Sequence, residues 1–135
     1  MTRFMLDTNI CVELLRAGWP ELFSRMRRFE IDEIAISTIT MAELQYGVAK
    51  SARPGHHEML LAEFCAPLAI VPFDHLAAET YGKARATLER AGTPIGPLDT
   101  LIAAHALSMN VTLVANNERE FRRMPGLRVE NWNRP

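Results

Sequence analysis

The chain has 135 residues, nearly half of them apolar, and a net charge of −1. That length buries a core without disulfides or a structural metal, the charge excludes a protein that grips nucleic acid by bulk positive potential, and no apolar run approaches the roughly 20 residues of a membrane span. Cys11 and Cys65 are isolated thiols without CxxC or Cys/His spacing, so neither zinc nor redox chemistry is signalled. Met1-Thr2-Arg3 leads straight into an apolar run with no room for a leader, and a cytoplasmic protein is expected.

Phe4-Met5-Leu6 reads as a buried strand that ends abruptly on Asp7-Thr8-Asn9. Ile10, Leu14 and Leu15 then take helical spacing, stopped by Ala17-Gly18, and a second short helix is expected from Pro20 through Leu22, Phe23, Met26 and Phe29. Ile34-Ala35-Ile36-Ser37 is a second apolar run ending in hydroxyls, followed by a helix opened by Thr40 and running to Lys50. Ser51 to Gly55 breaks the chain, and Met59, Leu60, Leu61 and Phe64 mark the next helix. Leu68-Ala69-Ile70-Val71, between Pro67 and Pro72, predicts a third strand, and His75 to Ala91 a longer helix closed by Gly92. A rigid Thr93-Pro94-Ile95-Gly96-Pro97 loop precedes a helix from Leu98 to Met109, with Leu98, Leu101, Ile102, His105 or Ala106, and Met109 on its apolar face. Val111 to Val114 is a fourth strand ending on Ala115-Asn116-Asn117-Glu118, and Leu127-Arg128-Val129 a fifth short one. Apolar strands alternating with helices predict an α/β fold: a three-layer α/β/α domain over residues 1–135 with a four- to five-stranded, mainly parallel sheet.

Three acids lie at or near helix starts, and two of those helices directly follow strands, which places them outside the carboxyl ends of the sheet, where such a fold binds ligands. Taken singly, each has a structural role open to it. Asp7 can cap the first helix, Glu43 completes a capping box with Thr40, and Asp99 complements the positive end of its helix dipole. Taken together they lie at or near helix N-termini, with Asn117 on the same edge. Carboxylates gathered in one crevice raise one another's pKa unless a cation neutralises them. Oxygen ligands with no His or Cys suit Mg²⁺ or Mn²⁺.

MLDTN at 5–9, ITMAELQYG at 39–47, GTPIGPLDTLIAAHAL at 92–107, VANNEREF at 114–121 and PGLRVENW at 125–132 together resemble the PIN-domain ribonucleases, specifically the VapC-type toxins of toxin–antitoxin pairs. The ordered blocks span essentially the whole chain. The resemblance implies a single PIN domain that cleaves RNA as a Mg²⁺-dependent endoribonuclease, with Mn²⁺ able to substitute, leaving 5′-phosphate and 3′-hydroxyl ends. Carried over by residue, Asp7, Glu43 and Asp99 match the acidic metal ligands, and Asn117 aligns with a fourth position that is often Asp, with Glu120 the nearest carboxylate. Thr8 and Asn9 match the supporting polar pair. The resemblance further implies an RNA substrate such as the anticodon loop of initiator tRNA and a homodimer. It also implies a VapB-type antitoxin as partner, through which operator DNA is bound and from which an Arg enters the acidic pocket.

Of the 15 basic residues only Lys50 and Lys83 are lysines, and guanidinium suits phosphate contacts. Arg119, Arg122 and Arg123, beside the fourth acidic position, are the expected RNA-backbone contacts, while Arg25, Arg27 and Arg28 form a second cluster and Arg128 extends the first. A solvated face is the alternative for both. Trp19, Leu22 and Phe23 are candidates for an antitoxin groove, or for the core. A His-based, metal-free ribonuclease does not fit: His56-His57 follow a Pro-Gly turn, and His105 lies six residues beyond Asp99, off the acid's face, packed or bonded locally. Two other classes stay open. One is a phosphatase forming an aspartyl-phosphate, although Asn9 replaces the second Asp of its DxDx[TV] pattern; the other is a non-catalytic PIN-like subunit acting through a DNA-binding partner.

Overall fold

Residues 1–16, 24, 26 and 31–133 are described by the structure, a computed structural model. Trp19, Leu22, Phe23, the Arg25, Arg27 and Arg28 cluster and all of the expected Pro20 to Phe29 helix except Ser24 and Met26, which are helical, lie outside the described residues.

Every side chain of β1 (Phe4–Leu6) is buried, and alternation divides them between two cores. Phe4 and Leu6 join Ile10 and Leu14 of α1 (Thr8–Arg16), Ile36 of β2 (Ile34–Ser37), Leu44 of α2 (Thr38–Lys50) and Leu61 of α3 (Pro54–Cys65) on one face. Met5 faces the other way, toward Leu88 of α4 (His75–Arg90), Ile102, Ala103 and Ala106 of α5 (Pro97–Met109), and Leu113 of β4 (Thr112–Val114). Helices therefore cover both faces, which is why the strands are continuously apolar. With β3 (Ala69–Val71) beside β2 and β5 (Val129–Glu130) beside β4, the sheet runs β3-β2-β1-β4-β5, and every pairing is parallel. No described helix is long and apolar enough to cross a membrane.

Several boundaries depart from expectation for local reasons. The helix after β2 starts at Thr38, because the hydroxyl of Ser37 accepts the Ile39 amide at 3.0 Å and takes the cap. Thr40 is buried within the first turn, so the expected capping box between Thr40 and Glu43 does not form. In α5 the buried residues run around the helix from Thr100 to Ala106, while Leu98, expected on its apolar face, is 47% exposed. That helix ends where Asn110 adopts the left-handed conformation at φ 56°, and Arg128 secures the turn by donating to the Asn110 carbonyl at 2.7 Å. A short α6 (Glu118–Phe121), not expected from the sequence, follows β4; four residues are too few to show a helical period.

Beyond β5, Trp132 is buried in the first core with its ring edge-on to Phe4, centroids 5.1 Å apart, and its indole N–H donating to Glu130 at 3.3 Å. Trp132→Ala is expected to destabilise the protein by roughly 3–5 kcal/mol through the cavity it leaves. Urea unfolding measures this; a loss below 1 kcal/mol would show that the tail packs only loosely.

Candidate active site

The chain leaves β1 for β2 on one side and reaches β4 on the other, so the crevice between β1 and β4 is the topological switch point of the sheet. Asp7 sits there. Its amide donates to the Val114 carbonyl at 2.9 Å, extending the β1–β4 ladder by one residue and holding the side chain at the rim. Asp7 is only 2% exposed, and its Oδ1 atom is buried without a hydrogen-bond partner. Burial above all, then the charges of Asp99 and Glu43, push its pKa up to about 7, against the opposing pull of the Thr8 and Asn9 amides. Those amides open α1, so part of the capping role read for Asp7 is present. An orphaned buried carboxylate oxygen is costly, however, and capping does not explain it.

Glu43 reaches the same crevice from the middle of α2. The Thr8 hydroxyl donates to Glu43 Oε1 at 2.7 Å and lies 3.2 Å from the Thr40 hydroxyl. Thr8 carries one proton, so Thr40 is the donor in that second contact. Glu43 is thus aimed across the crevice by α1 and by its own first turn.

Asp99 arrives by a different route, since α5 follows a helix and not a strand. Pro97 starts α5 and Gly96 caps it, which sets Asp99 in the first turn. Its pKa is raised to about 6 by burial, then by the charges of Glu120 and Glu43. Glu120 accepts the Gly96 amide at 3.0 Å through Oε1 and the Asn117 side-chain amide at 2.6 Å through Oε2. At the fourth position, then, Glu120 stands beside Asp99, while Asn117 is exposed and turned onto Glu120. A depression of about 220 Å³ opens over Gly96, Pro97, Leu98 and Asp99.

The three acids feel one another's charge, yet they are not closed into a chelate: among the described residues no three His, Cys, Asp or Glu side chains form a ready metal cage. Asn9 is exposed at the rim. Of the basic residues, Arg119, Arg122 and Arg123 are all exposed; Arg122 pairs with Glu118 at 3.1 Å, and Arg123 donates to the Pro94 carbonyl at 2.8 Å, bracing the loop that leads to Asp99. Arg128, tied to Asn110 ahead of β4, lies at the opposite end of the sheet. His56 and His57 are exposed as expected, whereas His105 is buried and bonded far from its own helix, to Ser37 at 2.8 Å. The sequence assigned Thr40, Gly96 and Ser37 structural places only and no part in the site. Only the hydroxyl-rich Ser37 to Thr40 run could have drawn attention to two of them.

The PIN domain family model matches residues 4–127. This chain is a PIN domain. Among its relatives, the tRNA(fMet)-specific endonuclease VapC of Salmonella typhimurium is 41% identical, covering 98% of this chain and 99% of that one. Ribonuclease VapC2 of Rickettsia felis is 42% identical, covering 97% and 98%. In structure, the DNA-bound VapBC of Salmonella typhimurium matches with a TM-score of 0.94 at 40% identity over 98% of this chain and 99% of that one. The corresponding Rickettsia felis VapBC2 complex, bound to a promoter DNA fragment, matches at 0.92 and 41% over 97% and 99%. Within the family the chain therefore groups with the VapC members, and this PIN domain carries its acids on the elements described above.

Proposed function

We propose that this PIN domain is a Mg²⁺-dependent endoribonuclease, with Mn²⁺ as a working substitute, and the toxin of a toxin–antitoxin pair whose substrate is initiator tRNA. The observation that carries the reading is the unpartnered, buried Oδ1 of Asp7 next to Asp99 and Glu43. Above its pKa such a group is stabilised by a hard cation. Mg²⁺ retains several waters and takes only one or two carboxylates directly, so an open crevice fits it better than a closed cage would. Asp7 and Asp99 are the residues to hold the ion, and Glu43 completes its shell or orients the attacking water. When bound, such an ion polarises a phosphoryl oxygen and lowers the pKa of water.

The protein's own groups do the rest. Thr8 fixes the direction of the Glu43 carboxylate. Glu120, steadied by Asn117, clamps the Gly96 amide and so holds the start of the Asp99 helix. Exposed Arg119, Arg122 and Arg123 offer guanidinium contacts to the RNA backbone near this corner. The names of the relatives support a tRNA substrate, and their solved complexes with VapB and DNA support an antitoxin partner that carries the contact to operator DNA. A homodimer follows from the family resemblance, and C₂ is the commonest symmetry for one.

Incubating the purified protein with total RNA and with initiator tRNA, with and without Mg²⁺, tests the reading. Discrete cuts in the anticodon loop with 5′-phosphate ends are expected, lost in EDTA and regained with Mg²⁺ or Mn²⁺. Cleavage that persists in EDTA would overturn the metal assignment, and cuts scattered over every single-stranded RNA would overturn the tRNA assignment. A trapped phosphoryl group on Asp7 would favour the phosphatase class instead.

A further inference from the structure

We propose that His105 is a positioning residue for this site: through Ser37 it seats the helix that carries Glu43 against the helix that carries Asp99, a role that rests on the ribonuclease reading above. His105 is 1% exposed and Ser37 fully buried, and their contact, Nδ1 to Oγ at 2.8 Å, spans 68 residues of sequence. Ser37 closes β2 and caps α2, so its one oxygen receives the Ile39 amide and also meets the imidazole. The start of α2 is held a second time from the same side. The Thr38 hydroxyl accepts the Phe73 amide at 3.0 Å, and the Phe73 ring stands edge-on to His105, centroids 5.3 Å apart at 76°.

The spacing makes this joint informative. Glu43 lies six residues after Ser37, and Asp99 six residues before His105; six helical residues span about 9 Å. The joint touches neither acid, yet each acid is one rigid helical segment away from it. Replacing both partners of a buried polar pair by apolar groups of the same shape changes stability little, whereas deleting one alone leaves the other unsatisfied and lowers stability. The pair's distinctive contribution is direction, because a hydrogen bond fixes where the α2 cap sits relative to α5 and packing alone permits sliding. A displacement of about 1 Å at a reacting centre lowers the rate by about a hundredfold.

His105→Phe retains an aromatic ring beside Phe73 and deletes the bond; His105→Asn returns an amide to the Nδ1 position and can serve as donor or acceptor. Ser37→Gly approaches the joint from the other side, since Gly is a tolerable cap. Each variant is compared with the parent by thermal melting, by Mn²⁺ titration calorimetry, and by kcat and KM on RNA. His105→Phe and Ser37→Gly, each of which leaves one buried partner bare, are expected to lower the melting midpoint by several degrees. Assayed well below that midpoint, where both are folded, they are expected to weaken Mn²⁺ binding about tenfold and to lower kcat by about 10- to 100-fold at nearly constant KM, while His105→Asn recovers most of both. In a Glu43→Gln background, His105→Phe should add little further loss of Mn²⁺ affinity, because the two changes act through the same group.

Parental Mn²⁺ affinity and kcat in both His105→Phe and Ser37→Gly would overturn the role. So would equal losses in His105→Asn and His105→Phe that simply follow a lowered melting midpoint, or full additivity with Glu43→Gln. Asp7→Asn, run alongside, reports the ribonuclease reading by itself: if it cleaves like the parent, that reading fails whatever the His105 variants do, and if it is dead while His105→Phe is unimpaired, only the positioning role fails.

Discussion

Asp7→Asn is expected to lower RNA cleavage on the order of a thousandfold or more while making the metal-free protein more stable. Both effects have one source. The Asp7 carboxyl is buried at the end of β1 with an unpartnered oxygen, and its pKa is about 7 because the site disfavours its charge. An Asn of the same shape removes that charge and also relieves Asp99, which loses a repelling neighbour. The shift corresponds to a stabilisation on the order of 2–4 kcal/mol above pH 7, or roughly 7–14 °C in the melting midpoint. A destabilised Asp7→Asn protein would show that Asp7 serves the fold as a cap first. A stabilised protein that still cuts RNA would remove Asp7 from the chemistry.

Removal of divalent metal should abolish cleavage, and it should also reverse how stability depends on pH. Asp7 at about 7 and Asp99 at about 6 both lie above the ordinary carboxyl value of 3.8. Between pH 4 and 7 the folded, metal-free protein therefore holds more protons than the unfolded chain. Its stability is highest at the acid end of that window and declines as pH rises through 6 and then 7. A bound cation competes with those protons, so Mn²⁺ or Mg²⁺ should raise the melting midpoint strongly at pH 8 and barely at pH 5. Cleavage should climb over the same interval. Melting in EDTA and in saturating Mn²⁺ across pH 5–8 checks this. Metal-free stability that increases from pH 5 to 7, or a metal-induced shift equal at both ends, would contradict it.

Much of the architecture was legible because the signals are local. The apolar runs at Phe4 to Leu6, Ile34 to Ser37 and Val111 to Val114 contain few polar interruptions, and strands covered on both faces need none. Gly92 and Pro97 punctuate the helices where the structure breaks them. The errors have physical causes as well. Thr40 resembled a cap in a run of hydroxyls, yet Ser37 stood three residues earlier at the true end of the strand, and cap choice depends on where the strand stops pairing. Leu98 fitted the spacing of an apolar face, but α5 is enclosed so widely that no single face describes it, and its first turn opens to solvent at the crevice. His105, expected to pack or to bond locally, does pack against Phe73, but its hydrogen bond crosses to Ser37 because the β2 terminus lies against α5.

From the chain of residues alone came the strand-to-helix alternation, the three acids and their association with helix starts, since propensity and periodicity act over a few neighbours. Tertiary structure decided the rest: that Asp7 is buried with a bare oxygen, that Glu43 answers to Thr8 and not to its own helix cap, that Glu120 rather than Asn117 stands beside Asp99, and that a histidine links the two outer acid helices. Each of these is a relation between groups tens of residues apart, fixed only when the parallel sheet brings the carboxyl ends of β1, β2 and β4 side by side, and no local preference encodes a distance across that edge.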